Sequence, residues 1–415
     1  MLVHWIWLSM RPSVSDWARA ALLRHFPDAE DIYFADGDAY RVVENLSEDA
    51  VLSLCNKDLH QAEEILRQCN RKNIHILTYR DAAYPCRLRN IADPPVVLYY
   101  KGRLPDFDGL PLIAAVGTRK ASSYGMTIAK RMGYQISECG GVVVSGMAYG
   151  IDGMAMRGAL SAGAPVVGVL GCGADVVYPA SNASLYADVE QNGCLLTEFA
   201  PGTEPFKWNF PKRNRIISGL CCGVLVVEAP EKSGALITAR QAAEQGRDVF
   251  VVPGNIDVAS CAGSNALLRD GAVAVSSGWD ILSEYAPLFP DKIHRGKSHA
   301  QQTAYPDEVK RAAEMEEKTQ LKVAQKAKRP ADRKAKNKKE IDNSGSTPYI
   351  DAKDKRPSLS ENEALILSLV KTEETLVDEI MANVDLPAGA VLAALTMLEI
   401  KGCILRMPGK RVKRK

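Results

Sequence analysis

The chain has 415 residues, of which 46% are hydrophobic and 25% are charged, and its formal net charge is +2. These values are close to those of ordinary folded proteins and argue against a globally disordered chain, a collagen-like fibre or a membrane protein. Because domains usually hold about 100 to 200 residues, the length predicts two or three domains.

Residues 1–105 are predicted to form a small, mainly helical domain, similar to SAM or helix-hairpin-helix domains, followed by an extended connection. Apolar residues recur with helical spacing in residues 15–26 and 46–69. Two adjacent prolines then exclude a helix, and the β-rich run that follows them ends at Gly102.

Two features of the sequence bear on the cellular compartment. Residues 1–10 are apolar, but they lack the basic residues and the cleavage site of a signal peptide and are too few to span a membrane. The ten cysteines are scattered without a CxxC pair, which indicates reduced thiols rather than a zinc site or a disulfide framework. We therefore expect a cytoplasmic protein with no bound metal and no membrane partner.

Short apolar runs alternate with helical segments between residues 106 and 289. The runs predict strands at residues 112–117, 141–145, 166–171, 195–199, 223–228 and 248–253. The helices between them are predicted to begin near Ser122, Asp152, Asn182, Phe210, Ser233 and Ser260. Near-continuous Val, Ile and Leu flanked by Gly is typical of parallel strands buried on both faces. This region is therefore predicted to be α/β, a Rossmann-like doubly wound parallel sheet.

The C-terminal third divides into a linker and a small domain. Residues 290–357 are predicted to be a basic flexible linker, because residues 318–339 hold ten Lys or Arg against one acid, Asp332. Residues 358–415 carry three helical segments, an apolar strand and a Pro-Gly turn, which predicts a winged-helix-like domain. Its third helix, residues 387–401, is rich in alanine. Duplex reading, weak backbone binding and protein contact remain alternative roles for this domain.

The first strand of the α/β region runs into a turn that carries Gly117, Thr118 and Arg119. Rossmann-like folds bind phosphate at this turn on free backbone N–H groups, so these residues are candidate nucleic-acid ligands. The alternative is a tight structural turn with solvated charges. The glycines do not match GxGxxG, and the second strand ends without the acid that a dinucleotide ribose requires. We therefore expect no cofactor.

Two further turns each open a helix. Ser145 and Gly146 end the second strand, with Asp152 predicted as the N-cap of the next helix, and Ser233 and Gly234 precede a later helix. Both turns are candidate sites for additional anion binding on backbone N–H groups. Backbone geometry or plain helix capping is the alternative in each case.

Residues 206–220 carry the strongest nucleic-acid signal, because cations stand beside Trp208 at a predicted helix start. Cations that neutralise phosphates and aromatic rings that stack on bases are the two parts of a single-strand binding groove. The candidate contacts are Phe210, Lys212, Arg213, Asn214 and Arg215. The alternative is that Phe210 lies in the core and that Arg213 or Asn214 braces loops.

The residue census does not favour catalysis. None of the six histidines lies in the predicted α/β region, so no Ser/His or Cys/His nucleophile pair can form from its own residues. Gly296-Lys-Ser298 lacks the upstream glycine of a Walker A loop. We therefore expect a protein that is not an enzyme.

Taken together, these segments resemble the DprA/Smf family, the bacterial DNA-processing protein A. The segments that carry the resemblance, in family order, are Gly117-Thr-Arg119, residues 145–152, residues 170–175, Tyr178-Pro179, residues 210–215, Ser233-Gly234 and residues 252–254. Each is weakly specific alone, whereas the ordered set is highly specific. The chain departs from the family pattern with Thr118 where Ser is usual and with Met156 where His is common.

The resemblance implies a protein that binds incoming single-stranded DNA during natural transformation, shields it from nucleases and helps to load the RecA recombinase. It also implies a homodimer formed through the Rossmann-like domain, and a binding protein rather than an enzyme. By motif, Arg119 and Lys212 would be the principal phosphate contacts, and Phe210 would lie near a base.

Two rival functions stay open. A nucleotide phosphoribohydrolase would carry a PGGxGTxxE-type segment, which Pro253-Gly254 and its neighbours do not match. A Rossmann-like sensor would bind a small nucleotide and signal through the C-terminal domain. The basic linker and the aromatic cluster favour a polymer over a mononucleotide.

Overall fold

The computed structural model of the protein describes residues 1–296, 361–370, 375–384, 386, 391, 394–395, 397–399, 401, 403–407 and 411–414. The chain divides into two units between residues 321 and 322. Most of the predicted linker, from residue 297 to residue 357, lies outside the described residues.

Six helices occupy the N-terminal region. Their bounds are α1 Leu2–Met10, α2 Asp16–His25, α3 Ala29–Phe34, α4 Gly37–Arg41, α5 Glu48–Cys55 and α6 His60–Arg71. Side chains at the N-caps of α2 to α5 accept backbone N–H groups; these caps are Ser15, Asp28, Asp36 and Ser47. Trp7, Leu22 and Leu54 are buried between the helices. The helices therefore share one apolar core.

A nine-stranded sheet forms the centre of the first unit. Its strands are β1 His75–Thr78, β2 Val97–Gly102, β3 Leu112–Val116, β4 Val142–Ser145, β5 Val166–Val169, β6 Cys194–Thr197, β7 Gly223–Val226, β8 Asp248–Val251 and β9 Val273–Ala274. The order across the sheet is β1-β2-β6-β5-β4-β3-β7-β8-β9. Strands β3 to β9 run parallel, whereas β1 and β2 pair antiparallel at the β6 edge. The N-terminal region thus contributes two strands to the sheet.

Helices cover both faces of this sheet, which confirms the predicted Rossmann-like doubly wound fold. They are α7 Cys86–Arg89, α8 Ser123–Glu138, α9 Ile151–Ser161, α10 Ala183–Asn192, α11 Asn209–Leu220, α12 Gly234–Glu244, α13 Ala262–Arg269 and α14 Gly278–Leu282. The helices α8, α9 and α10 pack on one apolar layer, and α7, α11 and α12 pack on the other. All five residues of β3 are buried, as expected for a strand covered on both faces.

The order of the strands reverses beside β3. From β3 the chain winds outward through β4, β5 and β6, then returns to place β7 on the other side of β3. The loops after β3 and β7 leave the sheet in opposite directions and open a crevice between them. Doubly wound sheets bind their ligands at such a switch point, outside the carboxyl ends of the strands.

The second unit contains the predicted winged-helix domain. Its described elements are α15 Glu361–Leu369, β10 Thr375–Leu376, α16 Val377–Ala382, β11 Ile404–Met407 and β12 Arg411–Arg414. The three strands form an antiparallel sheet in the order β10-β12-β11. Ile366, Ile380 and Val412 belong to its apolar core. The predicted third helix, residues 387–401, lies partly outside the described residues.

None of the helices in the described part of the chain combines the length and the apolarity that a membrane crossing requires.

Candidate nucleic-acid interface

An open cleft of about 510 Å³ lies at the carboxyl ends of β3 and β7, and we call it the switch-point cleft. The loop after β3 and the N-terminal turns of α11 and α12 form its walls. Eight of the predicted site residues line it: Gly117, Thr118, Arg119, Phe210, Arg213, Asn214, Ser233 and Gly234. The fold thus brings together three segments that are up to 117 residues apart in sequence. Ser145, Gly146, Lys212 and Arg215 are not among the residues that line it.

The exposed charge of the switch-point cleft is positive. Arg119, Lys207 and Lys232 line it and are exposed. Asp152 also lines it, but this carboxylate is buried and accepts a hydrogen bond from the Gly146 N–H at 3.1 Å. Fixed cations in a crevice attract anionic ligands. The cleft therefore suits a polyanion.

Several backbone N–H groups of the first turn are bonded within the protein, which narrows the basis of the predicted phosphate site. Thr118 N donates to the Glu228 carbonyl at 2.7 Å, and Lys120 N donates to Thr118 Oγ1 at 3.2 Å. The buried Glu228 carboxylate accepts from Ser122 N and, at 2.7 Å, from Ser122 Oγ. An internal carboxylate thus occupies the N-terminus of α8. Phosphate binding at this turn would depend on the Arg119 side chain.

The second turn is also bonded within the protein. Ser145 is fully buried, and its Oγ donates to the Ala115 carbonyl at 2.6 Å. Gly146 N donates to Asp152, as described above. The N-cap of α9 is Gly150, so the prediction of Asp152 as the N-cap was wrong; Asp152 lies in the first turn and bonds back to the preceding loop. Ser233, in contrast, does cap α12, because its Oγ accepts from Ala235 N at 3.3 Å.

Arg213 acts as an internal brace. Its guanidinium is buried and donates to the carbonyls of Gly146, at 2.9 Å, and Val169, and to Asn214 Oδ1 at 3.2 Å. Burial lowers the pKa of Arg213 to about 10. A side chain at Gly146 would collide with this guanidinium, which explains the glycine. The geometry favours the alternative reading of Arg213 as a residue that ties α11 to the ends of β4 and β5.

Arg119 and Phe210 meet at the mouth of the cleft. The Arg119 guanidinium lies over the Phe210 ring, 5.1 Å from its centroid. The half-buried Phe210 also contacts the exposed Tyr178, with 5.5 Å between ring centroids. A cation–π contact of this kind orients a guanidinium while it keeps its N–H donors available to an anion. The arrangement presents a cation beside aromatic rings, as a single-strand groove requires.

Lys212 and Arg215 lie on another side of α11 and face the N-terminal helices. The Lys212 ammonium is 2.9 Å from Asp16, and its side chain is 42% exposed. Arg215 is buried, and its guanidinium pairs with Glu198 at 2.6 Å and with Asp16 and Asp93 at 3.2 Å. We call these five side chains the interdomain ion cluster, because within the first unit they join the N-terminal helices to the sheet region. DNA contact by Lys212 stays a prediction, and Arg215 is left out of the proposed interface because it is buried.

The interdomain ion cluster predicts a pH dependence of stability. Burial alone would raise the pKa of Asp16, but attraction by Arg215, Lys212 and Arg19 outweighs it and lowers this pKa to about 2 from 3.8. Because the folded pKa is depressed, the stabilisation is present above pH 3.8 and is lost as the pH falls through 2. Between pH 5 and pH 3 we expect the contribution of Asp16 to the free energy of unfolding to fall by about 1 kcal/mol.

Urea unfolding of the wild type and of Asp16→Asn at both pH values measures this difference. The wild type should lose about 1 kcal/mol more unfolding free energy than the variant over this interval. Equal losses in the two proteins would contradict the assigned cause.

Three exposed residues with a charged or aromatic side chain line the switch-point cleft but were not among the predicted site residues: Lys207, Lys232 and Tyr178. Lys207 stands between Phe206 and Trp208 in the sequence, so the aromatic pattern already pointed to it. The other two gave only weak local signals, since Lys232 precedes a helix cap and Tyr178 precedes a proline.

Comparisons with known proteins show the family to which the chain is similar. A family model described as DNA recombination-mediator protein A matches residues 75–286, from β1 to the end of the sheet, and a DprA winged helix domain model matches residues 351–410. The chain is 32% identical to Protein Smf of Synechocystis sp. over 422 residues, which cover 99% of this chain and 98% of that protein. It is 44% identical to DNA processing protein DprA of Streptococcus pneumoniae over 205 residues, or 49% of this chain and 72% of that protein.

A solved structure shows the same likeness in three dimensions. The X-ray structure of DNA processing protein A from Streptococcus pneumoniae is 33% identical to this chain, with a TM-score of 0.61. The superposition covers 68% of this chain and 98% of that one.

Proposed function

The chain belongs to the DNA recombination-mediator protein A family, known as DprA/Smf, and from this we propose that it binds single-stranded DNA in the switch-point cleft. The observation that carries the proposal is the Arg119 guanidinium, which is exposed at the mouth of the cleft and stacked over Phe210. Lys207 and Lys232 extend the positive charge along the walls. In this proposal the cations hold successive phosphates while the aromatic rings contact bases.

The preference for a single strand follows from the rings at the cleft. Tyr178 lines the cleft, is exposed and contacts the half-buried Phe210, and Phe206 and Trp208 are exposed a few residues before Phe210 in the chain. Unpaired bases have faces that can stack on such rings, whereas the bases of a duplex are already stacked on one another. We therefore expect binding to a single strand to exceed binding to a duplex of the same length.

The Glu228 carboxylate supports a polymer over a small nucleotide. In a mononucleotide-binding Rossmann-like fold, the ligand phosphate would lie at the N-terminus of the first helix. Here the Glu228 side chain fills that position and accepts hydrogen bonds from Ser122 N and Oγ. A ligand held by side chains along the cleft does not need this occupied position. The phosphoribohydrolase and sensor functions are therefore not proposed.

The proposal also covers the biological role of the DNA binding. We propose that the protein protects incoming DNA in the cytoplasm and helps to load RecA during natural transformation and recombination, as a binding protein without catalysis. Family membership supports this role. We also propose a homodimer formed through the Rossmann-like unit. Support comes from β9, which pairs only with β8 among the described strands and exposes Val273 at the edge of the sheet.

Fluorescence anisotropy of the full chain with oligo-dT and with a duplex of equal length tests the proposed binding. We expect saturable binding to oligo-dT that weakens steeply with salt, because phosphate contacts release counterions. The duplex should bind at least about tenfold more weakly. Failure to bind oligo-dT at low salt would refute the proposal.

Two further measurements on the same preparation test RecA loading and dimer formation. Filament assembly by RecA on a strand coated with a single-strand-binding protein should become faster in the presence of this protein. Sedimentation velocity should give the mass of a dimer. An unchanged assembly rate or a monomer at micromolar concentration would remove the corresponding part of the proposal.

A further inference from the structure

Two exposed aromatic rings stand on the loop that leads into α11. Phe206 and Trp208 are stacked with 4.8 Å between ring centroids and an angle of 6° between their planes. Trp208 is 70% exposed and Phe206 is 43% exposed. The pair therefore presents a flat apolar surface to solvent, which is unusual for residues that could contribute to the core.

The loop that carries the pair is held in place. The buried Asn209 donates from Nδ2 to the carbonyls of Gly171, at 3.0 Å, and Glu204, at 3.2 Å. Asn209 N also donates to the Phe206 carbonyl at 3.0 Å, and this hydrogen bond closes the turn on which the exposed Trp208 lies. A ring on a fixed turn loses little conformational entropy when it binds a ligand.

The aromatic pair adjoins the switch-point cleft along the chain. Phe206 and Trp208 do not themselves line the cleft, but Lys207, between them in sequence, lines it, and so does Phe210, two residues after Trp208. One exposed cation of the cleft, Lys207, is therefore the chain neighbour of both rings. This combination of positive charge and an open indole face matches a nucleobase joined to a phosphate chain.

We propose that Trp208, supported by Phe206, stacks on an unpaired base of the strand whose phosphates the cleft holds. This inference rests on the proposed single-strand binding and assigns to it a second base subsite, beyond Phe210. A paired base cannot offer its face to Trp208 without leaving its duplex, so the subsite also contributes to the preference for single strands. The subsite reads the π-face of a base and is therefore tolerant of sequence.

The test compares two ligands that differ only in their bases: oligo-dT, and a strand of equal length made of abasic tetrahydrofuran units. Trp208→Ala should weaken binding to oligo-dT by about 5- to 150-fold, since stacking on one aromatic side chain is worth about 1–3 kcal/mol. The same variant should bind the abasic strand as the wild type does. Trp17→Ala is the matched control, because Trp17 is 61% exposed on α2 and lies outside both the cleft and the aromatic pair.

Intrinsic fluorescence gives a second readout. Oligo-dT should quench part of the tryptophan emission of the wild type and of Trp17→Phe. Trp208→Phe should bind with nearly wild-type affinity but lose this quenching. Because Phe keeps an aromatic ring on the loop, this variant remains informative if Trp208→Ala does not fold.

The outcomes distinguish a failure of the Trp208 subsite from a failure of the proposed single-strand binding. If the wild type binds oligo-dT and Trp208→Ala binds it equally well, the subsite is refuted and the single-strand function stands. If Trp208→Ala weakens binding to oligo-dT and to the abasic strand equally, stacking is also refuted. Such a result would mean that Trp208 maintains the shape of the loop and does not contact a base. If the wild type binds neither strand, the proposed function itself fails.

Discussion

Arg119→Ala should lower the affinity for oligo-dT about tenfold or more, and it should reduce the salt dependence of log K by about one ion. The reason is that Arg119 is the exposed guanidinium at the mouth of the switch-point cleft, where Phe210 orients it. Hydrogen bonds from a guanidinium to phosphate are charge-assisted and are among the stronger polar contacts. Anisotropy titrations at several salt concentrations measure both quantities.

Lys212→Ala provides the informative comparison. The family resemblance implies equal importance for Lys212, but this ammonium is paired with Asp16 outside the cleft. We therefore expect a smaller loss, of about threefold or less, because Lys212 does not line the cleft and its ammonium already has a carboxylate partner. Arg67→Ala is the matched control for the loss of one charge, since Arg67 is exposed on α6. A larger loss for Lys212→Ala than for Arg119→Ala would move the strand from the switch-point cleft to the interdomain ion cluster.

Arg215→Met should destabilise the protein by about 3–5 kcal/mol, the usual consequence of removing one partner from a buried ion pair. The Arg215 side chain is 5% exposed and pairs with three carboxylates: Asp16, Asp93 and Glu198. Without the guanidinium, these carboxylates remain buried with too little positive charge. Burial already raises the pKa of Glu198, and the attraction of Arg215 and Lys212 opposes that rise.

Urea unfolding followed by tryptophan fluorescence measures this loss. Lys212→Met removes the same charge from the same cluster, but Lys212 is 42% exposed, so its expected cost is within about 1 kcal/mol. The double variant Arg215→Met, Glu198→Gln should recover part of the stability, because it removes one of the unpaired charges. A cost below about 1 kcal/mol for Arg215→Met would show that the cluster does not hold the N-terminal helices to the sheet.

The lower stability of Arg215→Met must be separated from any direct effect of the substitution on DNA binding. Arg215 was a candidate nucleic-acid contact, and a destabilised variant would lose binding through unfolding alone. Titrations at a temperature where the variant is fully folded separate the two causes. Under that condition we expect its affinity to equal that of the wild type, because the guanidinium is buried.

Much of the fold could be predicted from the sequence, because apolar runs and helix caps depend on residues close together in the chain. The apolar run at residues 112–117 becomes β3, since a strand buried on both faces can be almost continuously apolar. The predicted starts near Ser122 and Ser233 lie at true N-caps, because a hydroxyl that bonds to the next turn is a short-range device. The same locality explains why the turn after β3, which carries Gly117, Thr118 and Arg119, could be located from the sequence.

The arrangement of charges at the site depended on contacts across the fold. Residues 212, 213 and 215 are neighbouring cations in the sequence, yet Lys212 is partly exposed, Arg213 braces two strand ends and Arg215 lies in an interdomain cluster. Helical rotation points the three side chains in different directions, and only the packing of α11 decides which one faces sheet, cleft or N-terminal helices.

The sequence by itself determined the alternation of strands and helices from β3 to β8, the family and three of the segments that line the cleft. Only the tertiary structure showed that Glu228 fills the N-terminus of α8 from 106 residues away and that Arg215 pairs with Asp16 from a distance of 199 residues. Periodicity and capping depend on residues within a few positions of one another. Burial and ion pairing depend on which surfaces the folded chain brings into contact, so no local pattern can report them.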